Sequence, residues 1–489
     1  MRLFEFEKNA IKNKYLLFSI IYLLAHAWIL LIPNAVFWDD WGLHNTDPEE
    51  LLALFERTGS MFNIAGHGHV FMQGIWLGWY KVGVLLFFFG SGLLLNKIME
   101  RSGVISEVWR IVVVVIFLIF PLNPARIAQI NFFYAACYFS FFLAWLAMDK
   151  QKIAAMFLFY FSFNTNSILV LYAIPFIDYI FRNGYWRKEE IIRNCGRLTL
   201  FASLPFLYFL IKTKFYTPSG EYAAYNTGIS LIRAETSLLG QIKDMLAYMP
   251  GDSSLLVAVA ILLAVILFAR LAFIDTKKRK SAAIACGLGF VLIVLACFPY
   301  WVVGHIPTIH EWTSRHQLLM PLGVAFVIIS ICIALGNFLG RAFLYFIVIS
   351  SVVIWINNYK DFYLDWKKQE QLVRLFSVSN KLKDAGLVVF RDETTDLNAI
   401  GRTNRPYEWN GLMVLSFGDE SRFGLLDSEL LTYCEGGYDR YFVAHYKAKN
   451  HKRMSECVPT VVRIFIDGAE TTSLLFFRKN VNYISIEVL

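Results

Sequence analysis

Residues 16–37, LLFSIIYLLAHAWILLIPNAVF, run without a single Lys, Arg, Asp or Glu. About 20 apolar residues in a helix cross a hydrocarbon core of ~30 Å, so this run alone restricts what the chain can fold into. Further apolar windows fall at 73–95, 109–121, 131–148, 153–164, 166–181, 197–212, 254–274, 282–303, 318–335 and 342–358. The reading is an all-α polytopic membrane protein with about eleven transmembrane helices. The windows at 109–121 and 153–164 are short for a full crossing, which suits tilted, broken or re-entrant helices lining a cavity. Composition agrees: 57% of residues are hydrophobic, against roughly 45–50% in an average soluble chain. The runs are continuous, where a β-barrel would show short alternating strands. The basic start MRLFEFEKNAIKNK and the tripeptide Ala25-His26-Ala27 resemble a cleavable leader. The apolar run continues past them, so a retained first helix is expected.

Charge sets the orientation. The loops NKIMERSG, MDKQK, RNGYWRKEEIIRNCGR, DTKKRK and NFLGR are rich in Lys and Arg. The intervening ones, 38–72, LNPARIAQIN, FNTNS, 213–253 and 304–317, carry few basic residues. By the positive-inside rule the N-terminus is cytoplasmic, and an odd number of crossings leaves residues 359–489 outside. The net charge of +8 is therefore mostly loop charge and no sign of a nucleic-acid partner. The expected division is a transmembrane domain, 1–358, and a small C-terminal extracytoplasmic α+β domain, 359–489.

That second domain opens with an amphipathic helix, DWKKQEQLVRLFSVSNKLKDAG, stopped by Gly386. Strand-like runs follow: LVVFRD, GLMVLSF, RYFVAHYK, TVVRIFID and TSLLFFRK. Of the seven cysteines, only Cys434 and Cys457 lie in this polar tail; they can pair if the tail sits in an oxidising compartment. Cys137, Cys195, Cys286, Cys297 and Cys332 lie in or beside apolar runs and read as packing residues.

The chemistry-bearing feature is the first outer loop, FWDDWGLHNTDPEELLALFERTGSMFNIAGHGHVF. The segment PEELLALFER reads as a helix lying along the membrane surface, with Thr46 as its cap. Asp39 and Asp40 stand beside the membrane between Trp38 and Trp41. Carboxylates there are costly unless used or satisfied. One could act as a general base while the other orients it or holds a metal. Helix capping or ordinary ion pairing is the alternative for both. In GHGHV, His67 and His69 would face one way if the segment is extended. They could hydrogen-bond a substrate, play a structural part, or bind a divalent metal with His44, Asp40 or His310 as a third ligand. His310 and Glu311 share a later outer loop and are substrate-binding candidates. Arg315 and His316, at the mouth of a late apolar helix in HEWTSRHQLLMPLG, suit a carrier phosphate, as does Arg126 in NPARIAQIN. A snorkelling arginine or a plain helix end explains these equally well.

An acidic pair after the first transmembrane helix, a surface helix in the same loop, and an Arg-containing segment opening a late helix together resemble the GT-C superfamily. These are integral-membrane glycosyltransferases that use polyprenyl-phosphate-linked sugars. Many members read Arg-Tyr-x-Leu-x-Pro, where this chain has Arg315-His316-Gln317-Leu318-Leu319-Met320-Pro321. The resemblance implies a polyprenyl-phosphate-linked sugar donor, a glycan or lipid-linked saccharide acceptor, and action on the outer face of a bacterial-type inner membrane. It also implies an Asp base, here Asp39 or Asp40, with Arg315 on the carrier phosphate. A polysaccharide polymerase, and a transporter or flippase of lipid-linked saccharide, are the rival readings. The latter would want ionisable residues within the spans, where mainly His26 and Lys81 are found.

Overall fold

The computed structural model describes residues 13–489 except 104, 186, 224–274, 306–307, 309–311, 318–319, 438–447, 452–457 and 467–483. Among the described residues, six helices are long and apolar enough to cross a membrane: Lys14–Leu31, Gly78–Ser102, Gln129–Ala147, Leu198–Phe215, Thr276–Val302 and Asn337–Ser377. Lys152–Ser162 and Met320–Leu335 are shorter apolar helices. The expected window 254–274 lies outside the described residues. The expected crossing at 166–181 is broken into Ile168–Leu171 and Ala173–Arg182. Glu107–Ile119, about 20 Å long at 1.5 Å per residue, is buried at every position from Arg110 to Ile119. Its run of branched apolar residues from Ile111 onward is packed into the core of the first unit.

The chain divides into two compact units. The first comprises residues 1–27, 49–126 and 131–355; the second comprises 28–48, 127–130 and 356–489. The main-chain boundary between the units lies between Trp355 and Ile356. The acidic loop and a short segment after Arg126 belong with the C-terminal domain.

In the first unit, ion pairs join loops that the charge alternation puts on one side. Lys14 Nζ lies 2.9 Å from Glu107 and 3.3 Å from Glu100; Arg101 lies 2.9 Å and Arg182 2.7 Å from Asp149. Loops assigned to the other side also meet one another. Lys212 donates to Asn166 at 3.1 Å, the Ala125 amide to Ser314 at 3.0 Å, and the Ser219 amide to the Arg57 carbonyl at 2.9 Å. Apolar side chains cover the outside. On Leu198–Phe215, Phe206 is 72% and Leu210 62% exposed, a surface suited to lipid.

The helices Thr276–Val302 and Met320–Leu335 cross at two glycines. A Cβ on Gly289 would lie 2.7 Å from the Gly323 carbonyl oxygen, and one on Gly323 2.7 Å from the Gly289 oxygen. Small residues let helix backbones touch where lipid supplies no hydrophobic drive to associate.

Among the described residues the second unit holds a four-stranded sheet of order β2-β1-β3-β4: β1 Leu387–Asp392, β2 Phe423–Leu426, β3 Thr460–Ile466 and β4 Ile484–Val488. β1 pairs parallel with β2 and β3, and β3 pairs antiparallel with β4. β1 is buried on both faces, as a central parallel strand should be. Val388 and Phe390 pack with Leu372, Phe376, Trp409 and Leu412, whereas Leu387 packs with Phe423, Leu425 and Tyr433. The expected strands at LVVFRD and TVVRIFID form as β1 and β3; RYFVAHYK and TSLLFFRK lie wholly outside the described residues.

GLMVLSF is instead the end of the helix Pro406–Phe417. Pro406 opens it, Glu408 Oε1 accepts the Arg405 amide at 3.0 Å, and Gly418 at φ +76° ends it. The amphipathic stretch from Asp365 continues the last apolar helix, which runs unbroken through Ser377. A short turn of helix, Asn380–Asp384, follows, capped by Ser379. Cys434 is disulfide-bonded; Cys457 lies outside the described residues. The five other cysteines are free thiols.

The Gly289–Gly323 crossing predicts that Gly323→Leu forces the two helices apart. A loss of about 1–3 kcal/mol is expected, read as a lowered melting temperature of the detergent-solubilised protein.

Candidate functional site

The sequence pairs Asp39 with Asp40, and the structure separates their roles. Asp40 is fully buried. Its Oδ2 accepts the Gln129 amide at 2.7 Å and the Phe37 amide at 3.3 Å, and its Oδ1 accepts the Ile130 amide at 3.0 Å. Three backbone donors satisfy a carboxylate that burial would otherwise penalise. Asp40 is therefore a clamp between two chain segments, enclosed away from solvent. Asp39, one residue earlier, is half-exposed and lies close enough to Tyr407 to affect its ionisation. Burial first, then the Asp39 and Glu408 charges, hold the Tyr407 hydroxyl well above its ordinary range.

Trp41 fixes the loop from its other end. It lies in the core with Trp409 and Leu412, and a Cβ on Gly411 would come within 2.2 Å of its ring. Trp38 has φ +52°, an uncommon and strained value for a bulky side chain. Its amide donates to Glu408 Oε2 at 3.3 Å. Thr46, expected as the cap of Pro48–Arg57, donates its hydroxyl back to the Gly42 carbonyl at 2.8 Å.

Behind this loop stands a charge network that the sequence did not reveal. Arg402 forks onto Asp365, at 3.0 Å from Nε and 3.2 Å from Nη2, and its Nη1 donates to Glu408. All three residues are buried. Burial opposes the Arg402 charge, but the Asp365 and Glu408 carboxylates outweigh it and raise its pKa. Burial raises the pKa of Glu408, with Arg402 opposing. Asp365 Oδ2 also accepts the Ala399 amide at 2.9 Å, next to Ile400 at φ +61°. Lys368, fully buried, donates to Asp392 at 2.6 Å, Asn398 at 2.7 Å and the Thr394 carbonyl at 3.1 Å. The partners are scattered from 365 to 408, so no local spacing announces them. The helix-start pattern Arg405-Pro406-Tyr407-Glu408 was the one available signal.

The remaining candidates lie in the first unit. His67 and His69 do not face one way, because their segment is the helix Ile64–Ile75. Two residues apart on a helix points side chains to opposite sides, and His67 is exposed while His69 is buried. The His69 ring stacks on Phe55 at 4.8 Å, and its Nδ1 lies 2.9 Å from the Tyr80 hydroxyl. Burial pushes its pKa down to about 3. His69 is thus a neutral packing residue tying the surface helix Pro48–Arg57 to Gly78–Ser102.

Arg126 is also internal. Its guanidinium lies 3.7 Å over the Trp355 ring and 5.0 Å from that of Phe88, and Nη2 meets His26 Nδ1 at 2.8 Å. His26 Nε2 is 3.0 Å from the Leu118 carbonyl, which places the ring proton there and leaves Nδ1 to accept from the arginine. No carboxylate stands within ion-pair reach of Arg126 among the described residues, so the aromatic faces hold its charge. Arg315 is half-exposed, with its guanidinium 4.3 Å over Trp312. Burial, and then the Arg315 charge, lower the pKa of nearby His305. His310 and Glu311 lie outside the described residues, as does the His316 side chain. Among the described residues no three His, Cys, Asp or Glu side chains converge as metal ligands.

The chain matches no known family, no curated protein and no solved structure.

Two measurements check this assignment of roles. Asp40→Asn turns a carboxamide donor toward backbone donors and is expected to cost about 1–3 kcal/mol, seen as lower melting temperature and abundance. Asp39→Asn should stay within about 0.5 kcal/mol of wild type. For His69, the folded pKa lies below the unfolded value of 6.5. The unfolded chain therefore takes up the proton first, and stability present above pH 6.5 is lost as pH falls. Between pH 7 and 5 this amounts to about 2 kcal/mol, and a His69→Phe variant should show a correspondingly flatter stability profile over that interval.

Proposed function

We propose that this protein is a membrane glycosyltransferase. It would move a sugar from a polyprenyl-phosphate carrier to a glycan or lipid-linked saccharide on the outer face of a bacterial-type inner membrane. In this reading the chain crosses the membrane about eleven times, with its N-terminus cytoplasmic and its C-terminal domain outside. The alternation of basic loops supports that orientation, as does the disulfide at Cys434, since such bonds persist in oxidising compartments.

The observation that carries the proposal is the division of labour in the acidic pair. Asp40 spends its carboxylate on three backbone amides, leaving Asp39 half-exposed on a loop whose strained Trp38 is held by Glu408. Strain held in place by surrounding hydrogen bonds is a recurrent property of functional loops. Asp39 takes the role of general base. It removes the proton of the acceptor hydroxyl as that oxygen attacks the anomeric carbon. The bond from that carbon to the carrier phosphate breaks, and its electron pair leaves on a phosphate already ionised at neutral pH. No acid is needed for departure, and a single displacement inverts the anomeric centre. Arg315 is assigned to the carrier phosphate, because a half-exposed guanidinium stacked on Trp312 presents a planar donor set suited to phosphate. His67, exposed on its helix, is kept as a substrate contact. Arg126 and His69, buried among aromatic rings, are assigned to packing.

The test is glycan composition in cells expressing Asp39→Asn at wild-type abundance, beside wild type and a deletion strain. The proposal expects the variant to reproduce the deletion's missing sugar. A full-length, normally decorated glycan would remove Asp39 as the base and favour a transporter or scaffold.

A further inference from the structure

In the first unit a groove of about 740 Å³ opens between the helices Glu107–Ile119, Thr276–Val302, Met320–Leu335 and Asn337–Ser377. Its walls are apolar: Trp109, Ile111, Val112, Ile333 and Leu344. One end of the lining carries Lys277, Lys278 and Arg341 against a single acid, Asp275. Ser106 and Asn337 add neutral hydrogen-bonding groups at the same loops. We propose that this groove binds one anionic phospholipid of the surrounding bilayer, its phosphate at Lys277 and Lys278 and its chains along the apolar walls.

Three observations carry the proposal. The basic residues come from the starts of two helices distant in sequence, Thr276–Val302 and Asn337–Ser377, and they line one cavity together with Ser106. Lys277 and Lys278 are exposed and make no ion pair among the described residues, so their charge is available to an incoming anion. They also occupy the first turn of a 27-residue helix beginning at Thr276, whose unpaired amides favour a phosphate.

The occupant is identified by the groove's two-part chemistry. A free phosphate or a nucleotide would use the basic end and leave the apolar walls against water. A neutral lipid would use the walls and leave the lysines unmatched. The groove also opens onto the apolar outer surface, because Val108 and Tyr345, both in its lining, are 50% and 44% exposed. A lipid can therefore enter sideways from the bilayer. The three loops at this end are those the charge alternation puts on the cytoplasmic side, where anionic headgroups attract basic residues. The inference does not depend on the glycosyltransferase reading.

The experiment is native mass spectrometry of the full chain released from nanodiscs of equal parts phosphatidylglycerol and phosphatidylcholine. Wild type is expected to retain one phosphatidylglycerol in preference to phosphatidylcholine. The double variant Lys277→Gln, Lys278→Gln should bind it roughly thirtyfold more weakly at low salt. Both lysines are exposed, so circular dichroism should show unchanged helix content. Val108→Trp, at the exposed mouth, should reduce retention with the lysines intact. Equal retention of the two lipids, or undiminished phosphatidylglycerol on the double variant, would overturn the proposal. So would inorganic phosphate, at matched ionic strength, competing as well as the lipid does, since the walls would then contribute nothing.

Discussion

A single buried carboxylate holds the acidic loop in place. Asp40 accepts amides from Phe37, Gln129 and Ile130, and so draws residues 127–130 into one compact unit with 28–48. Without it, those amides would be buried with no partner, in a region too apolar for water to substitute. The geometry is also selective. An acceptor is required there, because these three amides are donors. The carboxylate of Asp40 is thus spent on structure, while that of its neighbour Asp39 is partly exposed.

The network of Asp365, Arg402 and Glu408 supports the same loop from the C-terminal domain. Buried charges contribute little net stability when paired, but removal of one partner is severe. Arg402 forks onto Asp365 through two parallel hydrogen bonds, which fixes the guanidinium plane. That arrangement positions Glu408 to receive the Trp38 amide. Trp38 and Ile400, both at positive φ, flank the network on its two sides. A conformation that a tryptophan or isoleucine would otherwise avoid persists because hydrogen bonds around it leave no alternative.

The first unit uses a different physics. In lipid the apolar effect cannot drive helices together, so contact comes from small residues and internal polar links. Gly289 against Gly323 supplies the first. The bond from Trp355 Nε1 to the Ile119 carbonyl at 2.8 Å, beside the stacked Arg126, supplies the second. Among the described residues Arg126 is held inside the unit without a carboxylate, by two aromatic rings and one imidazole nitrogen. The same arrangement withdraws Arg126 from the outer-loop chemistry that its position in NPARIAQIN suggested.

Much of this architecture was legible in the chain itself. Uncharged apolar runs must become membrane-length helices, because unpaired backbone is too costly in hydrocarbon. The ion pairs of Lys14, Arg101, Arg182 and Asp149 join loops that the alternation of loop charge puts on one side. PEELLALFER, LVVFRD and TVVRIFID formed the elements their patterns implied, since periodicity is a local property. GLMVLSF did not, because a short apolar run fits a helix or a strand and Pro406, Glu408 and Gly418 settled it. His67 and His69 parted for the same reason: their shared direction depended on an extended backbone that became helical. Tertiary structure alone decided which aspartate is buried, which arginines are internal, and that residues 28–48 group with the C-terminal domain. Those outcomes rest on contacts between residues roughly ninety to several hundred positions apart, and the burial that sets a carboxylate's role is a property of the assembled neighbours, which no stretch of sequence carries by itself.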